Sequence, residues 1–510
     1  MASSSSQHPT IPRLDIPSVS ETAVFQHTPD HDAQLKREWE PGCQPDEVYD
    51  RYLPPWRAWL RRALVRRLRR EKDWMADWQK KVRTETRDKY FYWTAIFGTH
   101  TFFMAFLPVL FLFDAPLKGR GMLYVVGMGI YISSFSKDLV CVPRPYSPPV
   151  IRLSMSTHHH EYGFPSSHST NSVSIALFLG QWIYEARDRI GWSAVLAAWF
   201  ALFFYAISVV GGRFYTGMHS SADIIGGSLM GVACWILWIV VGNASEAWVN
   251  TGTWLVPALA IPITLALVHY HPEPVDDCPC FADAIAVLAV VMGSFVGHWW
   301  SVVGLKPASL TRGHALHDNG LAVGITVAVL RLVVGLGALF AWRLVAKATL
   351  LRILPPIFRA ASKIFDIPTR RFYKAATDYN KVPPSVGFRA IPSVLDLQTG
   401  RDPASPAPSP INSPSLSPNP SMRSVSPINV RNESHNHALR SRSGKGILAD
   451  EQKSHVNSDA RSIKGAVRRK QVPKYDAEVL TKVGVYSGIG IIATTLMPTF
   501  FEWAEDRLLG

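Results

Sequence analysis

Cysteine is sparse in this 510-residue chain: Cys43, Cys141, Cys234, Cys278 and Cys280 are five scattered residues, too few for a disulfide-built scaffold. Only Cys278 and Cys280 are close, and no histidine or cysteine stands at zinc-finger spacing from them. The pair therefore reads as a tight loop, and no metal ligand set is expected. The first residues, MASSSSQHPTIPRL, lack an apolar core. A cleavable signal is not expected, and a later apolar run would have to direct membrane insertion. Acidic side chains are also short, 39 against 53 Lys and Arg, and the net charge is +14.

Charge is missing above all from a series of long apolar runs. Stretches near the length of about 20 residues that crosses a bilayer as a helix recur at Phe91–Phe113, Gly121–Phe135, Ser169–Tyr184, Trp192–Val210, Ile224–Val241, Thr253–Val268, Ala284–Val303, Gly320–Leu344 and Val483–Phe501. A soluble helical protein would place charges at helical spacing inside such runs. The expectation is an all-α, polytopic transmembrane bundle of about eight to nine spans, with its functional groups at helix ends.

Composition divides the rest of the chain. Residues 1–50 are polar and expected to be disordered. Residues 51–90 hold Arg61-Arg62, Arg66-Arg67, Arg69-Arg70 and Lys80-Lys81 among Trp56, Leu60, Leu64, Leu68 and Trp74. This pattern predicts a basic amphipathic helix on an anionic membrane surface, and its closeness to the first apolar run favours lipid over nucleic acid as its partner. The membrane block covers 91–345, a second basic juxtamembrane segment 346–394, and a Ser/Pro-rich tether 395–475 too polar to bury a core; residues 480–510 hold the last span.

Three polar blocks interrupt the membrane block: Lys137 with Arg144-Pro145, then Pro165-Ser166-Ser167-His168, then Arg213 with His219 and Asp223. Together they hold three cations, two histidines and a carboxylate, the equipment to grip a phosphate and displace it. Lys137 and Arg144 are seven apart, which predicts one face of a helix ending at Pro145. Ser166 and Ser167 would present hydroxyl and backbone N–H groups at a helix start, with His168 in the first turn as a general acid. His219 and Asp223 are four apart, so on a continuing helix the carboxylate faces the imidazole and orients it as a nucleophile, with Arg213 near the developing charge. Ionisable groups at membrane depth are costly, and usually have a task.

In this order and spacing, the motifs resemble the type 2 phosphatidic acid phosphatase superfamily, which includes vanadium-dependent haloperoxidases, over roughly Lys137 to Asp223. The resemblance implies that Lys137, Arg144 and Arg213 bind phosphate oxygens, aided by Ser166 and the backbone N–H of Ser167. It also implies that His219 attacks phosphorus, Asp223 orients it, and His168 protonates the leaving alkoxide. No metal or other cofactor is implied. Ser167 stands where the family usually has glycine, and Gly212 where a serine commonly precedes the arginine.

The flanking tracts PRPYSPPVIRL from Pro143 and HHHEYGFPSSH from His158 look like those of sphingoid long-chain-base 1-phosphate phosphatases, and HPEPVDDCPCFADA from His271 is similar to their fungal branch. A membrane lipid substrate in the endoplasmic reticulum is implied, such as dihydrosphingosine 1-phosphate; a broader phosphatase for phosphatidic or lysophosphatidic acid, or a non-catalytic lipid-binding or transport protein, is the alternative. His158, His159, His160, Glu161 and Tyr162 are expected at the entrance, with Glu161 toward the substrate's ammonium. Arg331 in the eighth run is expected to pair with Asp283. Span counting puts the motifs, the N-terminus and the tether on one side of the membrane. The basic segments argue for the cytosolic side; the resemblance implies the lumenal one. The sequon Asn432-Glu433-Ser434 in the tether separates the two by whether it carries sugar.

Overall fold

The computed structural model describes residues 40–113, 116–154, 161–304, 321–364 and 477–508; the tether, the triple histidine and most of the N-terminal segment lie outside them. The described residues form helices and no strands. The longer of these, in chain order, are α1 (Asp46–Tyr52), α2 (Pro55–Val82), α3 (Glu85–Thr94), α4 (His100–Leu112), α5 (Pro116–Val140), α6 (Ser167–Glu185), α7 (Trp192–Tyr215), α8 (Ser221–Asn250), α9 (Leu255–His269), α10 (Cys280–Val303), α11 (Leu321–Ala361), α12 (Ala477–Ile491) and α13 (Met497–Leu508). Five segments are long and apolar enough to cross a membrane: Trp192–Tyr215, Ser221–Asn250, Cys280–Val303, Gly324–Ala361 and Ala477–Ala504. The chain is thus a multi-pass helical membrane protein.

Helices α5 and α6 are less apolar for a structural reason. The first turns of α6 bury Ser167, His168, Ser169, Thr170, Asn171, Ser172 and Ser174, and the last turns of α5 bury Ser133, Ser134, Lys137 and Asp138. Their polar residues face protein, while α7 and α8 turn Phe200, Phe203 and Val240 outward, as lipid-facing helices do. Helix α5 is central and touches α2, α4, α6, α8 and α10.

One expectation about the first membrane segment changes. The run Phe91–Phe113 is not one helix: a 3-10 turn over Ala95–Gly98 and an extended Thr99 divide it. Thr99 is a good N-cap, and its hydroxyl accepts from the amide of Phe102 at 3.2 Å, so α4 starts anew there. The basic segment before it forms α2 over Pro55–Val82, with a stripe of Ala58, Arg61, Val65, Leu68, Met75, Ala76 and Gln79 buried against protein. Burying each of the larger apolar side chains contributes about 1.5–3 kcal/mol, and the exposed face keeps Trp56, Trp59 and Trp74.

Helices α10 and α12 run side by side in parallel: Gly293 lies against Ser487, and Gly297 against Ile491 and Thr495. A Cβ at Gly293 would sit 2.0 Å from the Ser487 carbonyl oxygen, so glycine permits the approach. Helix α11 is antiparallel to α12, with Leu350 on Gly484 and Trp342 on Gly488, and it continues past the expected boundary at 345 to Ala361. Arg331 of α11 donates to the carbonyl of Leu112 at 2.6 Å, at the end of α4. Because α10 starts in a cluster with Cys141 and Tyr162, beside the end of α5, residues 364 and 477 lie at that same end of the bundle.

The loop before α10 is held by Asp276. Its carboxylate accepts from the Gly42 amide at 2.8 Å, Tyr49 at 2.7 Å, Tyr162 at 2.9 Å, and Gln44. Cys278 and Cys280 are joined as a disulfide.

Candidate active site

The three polar blocks converge at the end of α5. Lys137 stands in the last turn of that helix, but Arg144 does not share it: α5 stops at Val140, and Cys141 takes a left-handed φ of +55°. Pro143 and Pro145 disfavour the helical conformation in the residues before them, so the chain leaves extended and returns Arg144 to the site from a loop. Ser166 caps α6, and His168 lies in its first turn, as expected. Arg213 is in the last turn of α7. His219 is not on a helix with Asp223, because α8 begins only at Ser221.

All eight residues are buried. Lys137 Nζ lies 2.6 Å from Glu161 Oε2 and 3.4 Å from the Ser167 hydroxyl. Arg144 Nε donates to the Glu161 carbonyl at 3.1 Å, and Nη1 donates to the Met218 carbonyl at 3.1 Å. The same Nη1 is 3.3 Å from His219 Nε2, and Nη2 is 3.4 Å from Glu161 Oε2. Arg213 Nη2 is 2.9 Å from His168 Nε2. The second block's Ser166 spends its hydroxyl on the helix, accepting from the Ser169 amide at 3.3 Å and the Ser169 hydroxyl at 3.0 Å.

The tautomer of His219 is set by its neighbours. Nδ1 is 2.9 Å from the Gly163 carbonyl, which can only accept, so Nδ1 carries the proton. The lone pair is then on Nε2, the nitrogen that faces Arg144. Burial first, then Arg144, Arg213 and Lys137, hold the imidazole well below the ordinary histidine pKa. The site thus keeps a neutral, oriented imidazole among three cations. Asp223 lies farther off, 3.8 Å from Nδ1, and its carboxylate accepts from the Ser220 amide at 2.7 Å in a capping box. The i,i+4 spacing brought the pair close, while the orienting hydrogen bond belongs to a backbone carbonyl.

Several residues at the site carry no motif signal. Gly163 supplies that carbonyl where the chain crosses Pro143, and a Cβ there would lie 2.5 Å from the Pro143 carbonyl oxygen. Gly98 closes on the other histidine, since its Cβ would lie 2.6 Å from His168 Cδ2. Helix α2 holds the site loops in place. Arg57 donates to the carbonyls of Asp138 and Leu139, and Gln79 donates to those of Ile151 and Tyr215 at 3.0 Å. A glycine in Gly-Phe-Pro was the one visible hint; the rest are contacts between segments far apart in sequence. Of the expected entrance residues, Glu161 is in the site, Tyr162 is buried against Asp276, and His158, His159 and His160 lie outside the described residues.

The arrangement has relatives. Residues 118–246 match the PAP2 superfamily, and the chain belongs to that family. Within it, the chain is 32% identical over 336 residues to a dihydrosphingosine 1-phosphate phosphatase of Schizosaccharomyces pombe, covering 64% of this chain and 79% of that protein. It is 34% identical over 278 residues to a dihydrosphingosine 1-phosphate phosphatase of Saccharomyces cerevisiae, covering 53% and 68%. A human sphingosine-1-phosphate phosphatase 2 is 29% identical over 209 residues, covering 41% and 51%. No solved structure matches.

Proposed function

We propose that the protein is an integral-membrane lipid phosphatase that hydrolyses long-chain sphingoid base 1-phosphates to free base and phosphate through a phosphohistidine. The observation that carries this reading is His219, with Nδ1–H bound to Gly163 and the Nε2 lone pair beside Arg144. Lys137, Arg144 and Arg213 bind the phosphate oxygens, and Ser167 adds its hydroxyl and backbone N–H. Ser166 serves by capping α6 and so aiming that helix terminus at the anion. His219 Nε2 attacks phosphorus; as the ester P–O bond breaks, His168 gives its proton to the departing alkoxide. Water then attacks the phosphohistidine, His168 takes the water's proton, the P–N bond breaks and phosphate leaves. Asp223 fixes the start of α8 behind His219 and supports the imidazolium character that develops during transfer.

Apart from the break at Ala95–Thr99, the apolar runs lie mainly on helices, which supports eight or nine spans; the endoplasmic reticulum is the membrane proposed for them. The names of the yeast relatives, together with the Glu161 carboxylate in the site, support an amino lipid as substrate. The test is phosphate release from dihydrosphingosine 1-phosphate by purified protein without added divalent metal. Turnover that resists chelator and is lost in His219→Ala is expected. Activity that persists in the variant, or that chelator abolishes in wild type, overturns the mechanism.

A further inference from the structure

A carboxylate is an odd neighbour for phosphate ligands. Glu161 Oε2 lies 2.6 Å from Lys137 Nζ and 3.4 Å from Arg144 Nη2, with its side chain only 8% exposed. Both cations are the ones a phosphate needs, so an incoming phosphate must take these donors and then stand beside a buried negative charge. Like charges this close, shielded from water, repel strongly.

We propose that Glu161 reads the substrate's amine: its carboxylate holds the place of the phosphate in the empty site and receives the ammonium in the filled one. The inference rests on the phosphatase reading above. An incoming phosphate and the Glu161 carboxylate thus compete for the same two cations, Lys137 and Arg144. A long-chain base 1-phosphate carries a phosphate of nearly two negative charges and one ammonium on the adjacent carbon, so it brings its own counter-charge for the displaced Glu161 carboxylate. A glycerol-based phosphate has no ammonium and leaves the displaced, buried Glu161 carboxylate without a counter-charge beside the phosphate, which costs affinity. The ammonium's closeness to the phosphorus matches the closeness of Glu161 to Lys137 and Arg144. The backbone at Glu161 is anchored, its carbonyl by Arg144 Nε at 3.1 Å and its neighbour Tyr162 by Asp276 at 2.9 Å. Only the carboxylate has to turn.

The test compares full-length wild type and Glu161→Gln on dihydrosphingosine 1-phosphate and on lysophosphatidic acid, with inorganic phosphate as inhibitor. The variant is expected to lose about tenfold in kcat/KM on the amino lipid, to gain severalfold on lysophosphatidic acid, and to bind inorganic phosphate more tightly. A change of the same size and sign on both lipids, with phosphate binding unchanged or weaker, means that Glu161 merely braces Lys137 and Arg144, and overturns the proposal. A second arm needs no mutation: wild type is given N-acetylated dihydrosphingosine 1-phosphate, whose nitrogen is uncharged. At least a tenfold loss in kcat/KM is expected, and turnover equal to that of the free amine overturns the proposal. If wild type fails to hydrolyse dihydrosphingosine 1-phosphate, the phosphatase reading itself falls.

Discussion

Helix α8 has a buried histidine–carboxylate pair at each end. At its start, Asp223 lies 3.8 Å from His219; near its end, Glu246 lies 3.7 Å from His298 of α10. The pairs look alike until their cations are compared. Glu246 is clamped by one arginine, Arg120, through two hydrogen bonds of 2.9 and 2.7 Å, and the group is balanced. His219 instead faces Arg144 and stands in a site that also holds Lys137 and Arg213, an excess of positive charge over Glu161 and Asp223. A buried histidine beside an acid is therefore no mark of chemistry by itself. The surplus of cations, and a ring nitrogen left with its lone pair toward them, make the difference.

That comparison can be broken in four ways. The largest effect is expected from removing each histidine: His219→Ala lowers phosphate release by more than about a thousandfold, while His298→Ala keeps at least about half of wild-type turnover. Comparable losses in both would erase the distinction between the two ends. Removing the arginines should then separate rate from stability. Arg213→Ala is expected to cost about a hundredfold in kcat with little change in melting temperature. Arg120→Ala leaves Glu246 buried without its clamp and is expected to cost about 3–5 kcal/mol of stability, read by thermal unfolding in detergent, with kcat preserved in the folded fraction.

A smaller effect is expected from Gly98→Ala. The added methyl group would lie 2.6 Å from His168 Cδ2 and 2.9 Å from Val209 Cγ1, so the imidazole must shift. A displacement of that order lowers kcat by about tenfold; wild-type kcat would show that His168 tolerates the move. Last comes pH. Burial and the cations oppose protonation of His219, so its nucleophilic form persists below the ordinary histidine value of about 6.5. The acid limb of the kcat profile should lie below that pH, because the lone pair is lost only once the imidazole is protonated. Arg144→Gln, which removes one opposing charge, should move the limb upward; no movement would deny Arg144 that influence.

Much of this site could be read from the sequence because its chemistry needs particular side chains in particular blocks. Lys137, His168 and Arg213 occupy the helix ends that the apolar runs implied. What the spacing hid was backbone. The seven-residue step from Lys137 to Arg144 resembled two turns of helix, but the Pro-Arg-Pro tract ends the helix early and brings the arginine in from a loop. The four-residue step from His219 to Asp223 resembled one turn, but Ser220 caps a helix that starts after the histidine, so Gly163 takes the orienting bond. Helix α2 was legible as basic and amphipathic, but its buried face takes only Leu68 of the expected stripe and leaves Trp56 and Trp74 exposed. Whether that face meets lipid or protein depends on loops more than fifty residues away, which no local pattern encodes.

Arg61 bears on where the folded unit begins and ends. Its guanidinium lies 3.5 Å from the centre of the Tyr49 ring, pairs with Asp46 at 2.8 Å, and donates to the carbonyls of Gly42 and Cys141 at 3.0 and 3.2 Å. One side chain thus ties the N-terminal helices to the extended exit of α5, and Asp276 ties in the loop before α10 from the other side. The segment 118–246 that matches the family by sequence contains every proposed catalytic group, yet it omits these two clasps. The stretch by which the family is recognised is smaller than the unit that folds, and a fragment trimmed to it would carry the reacting side chains without the walls that hold them in register.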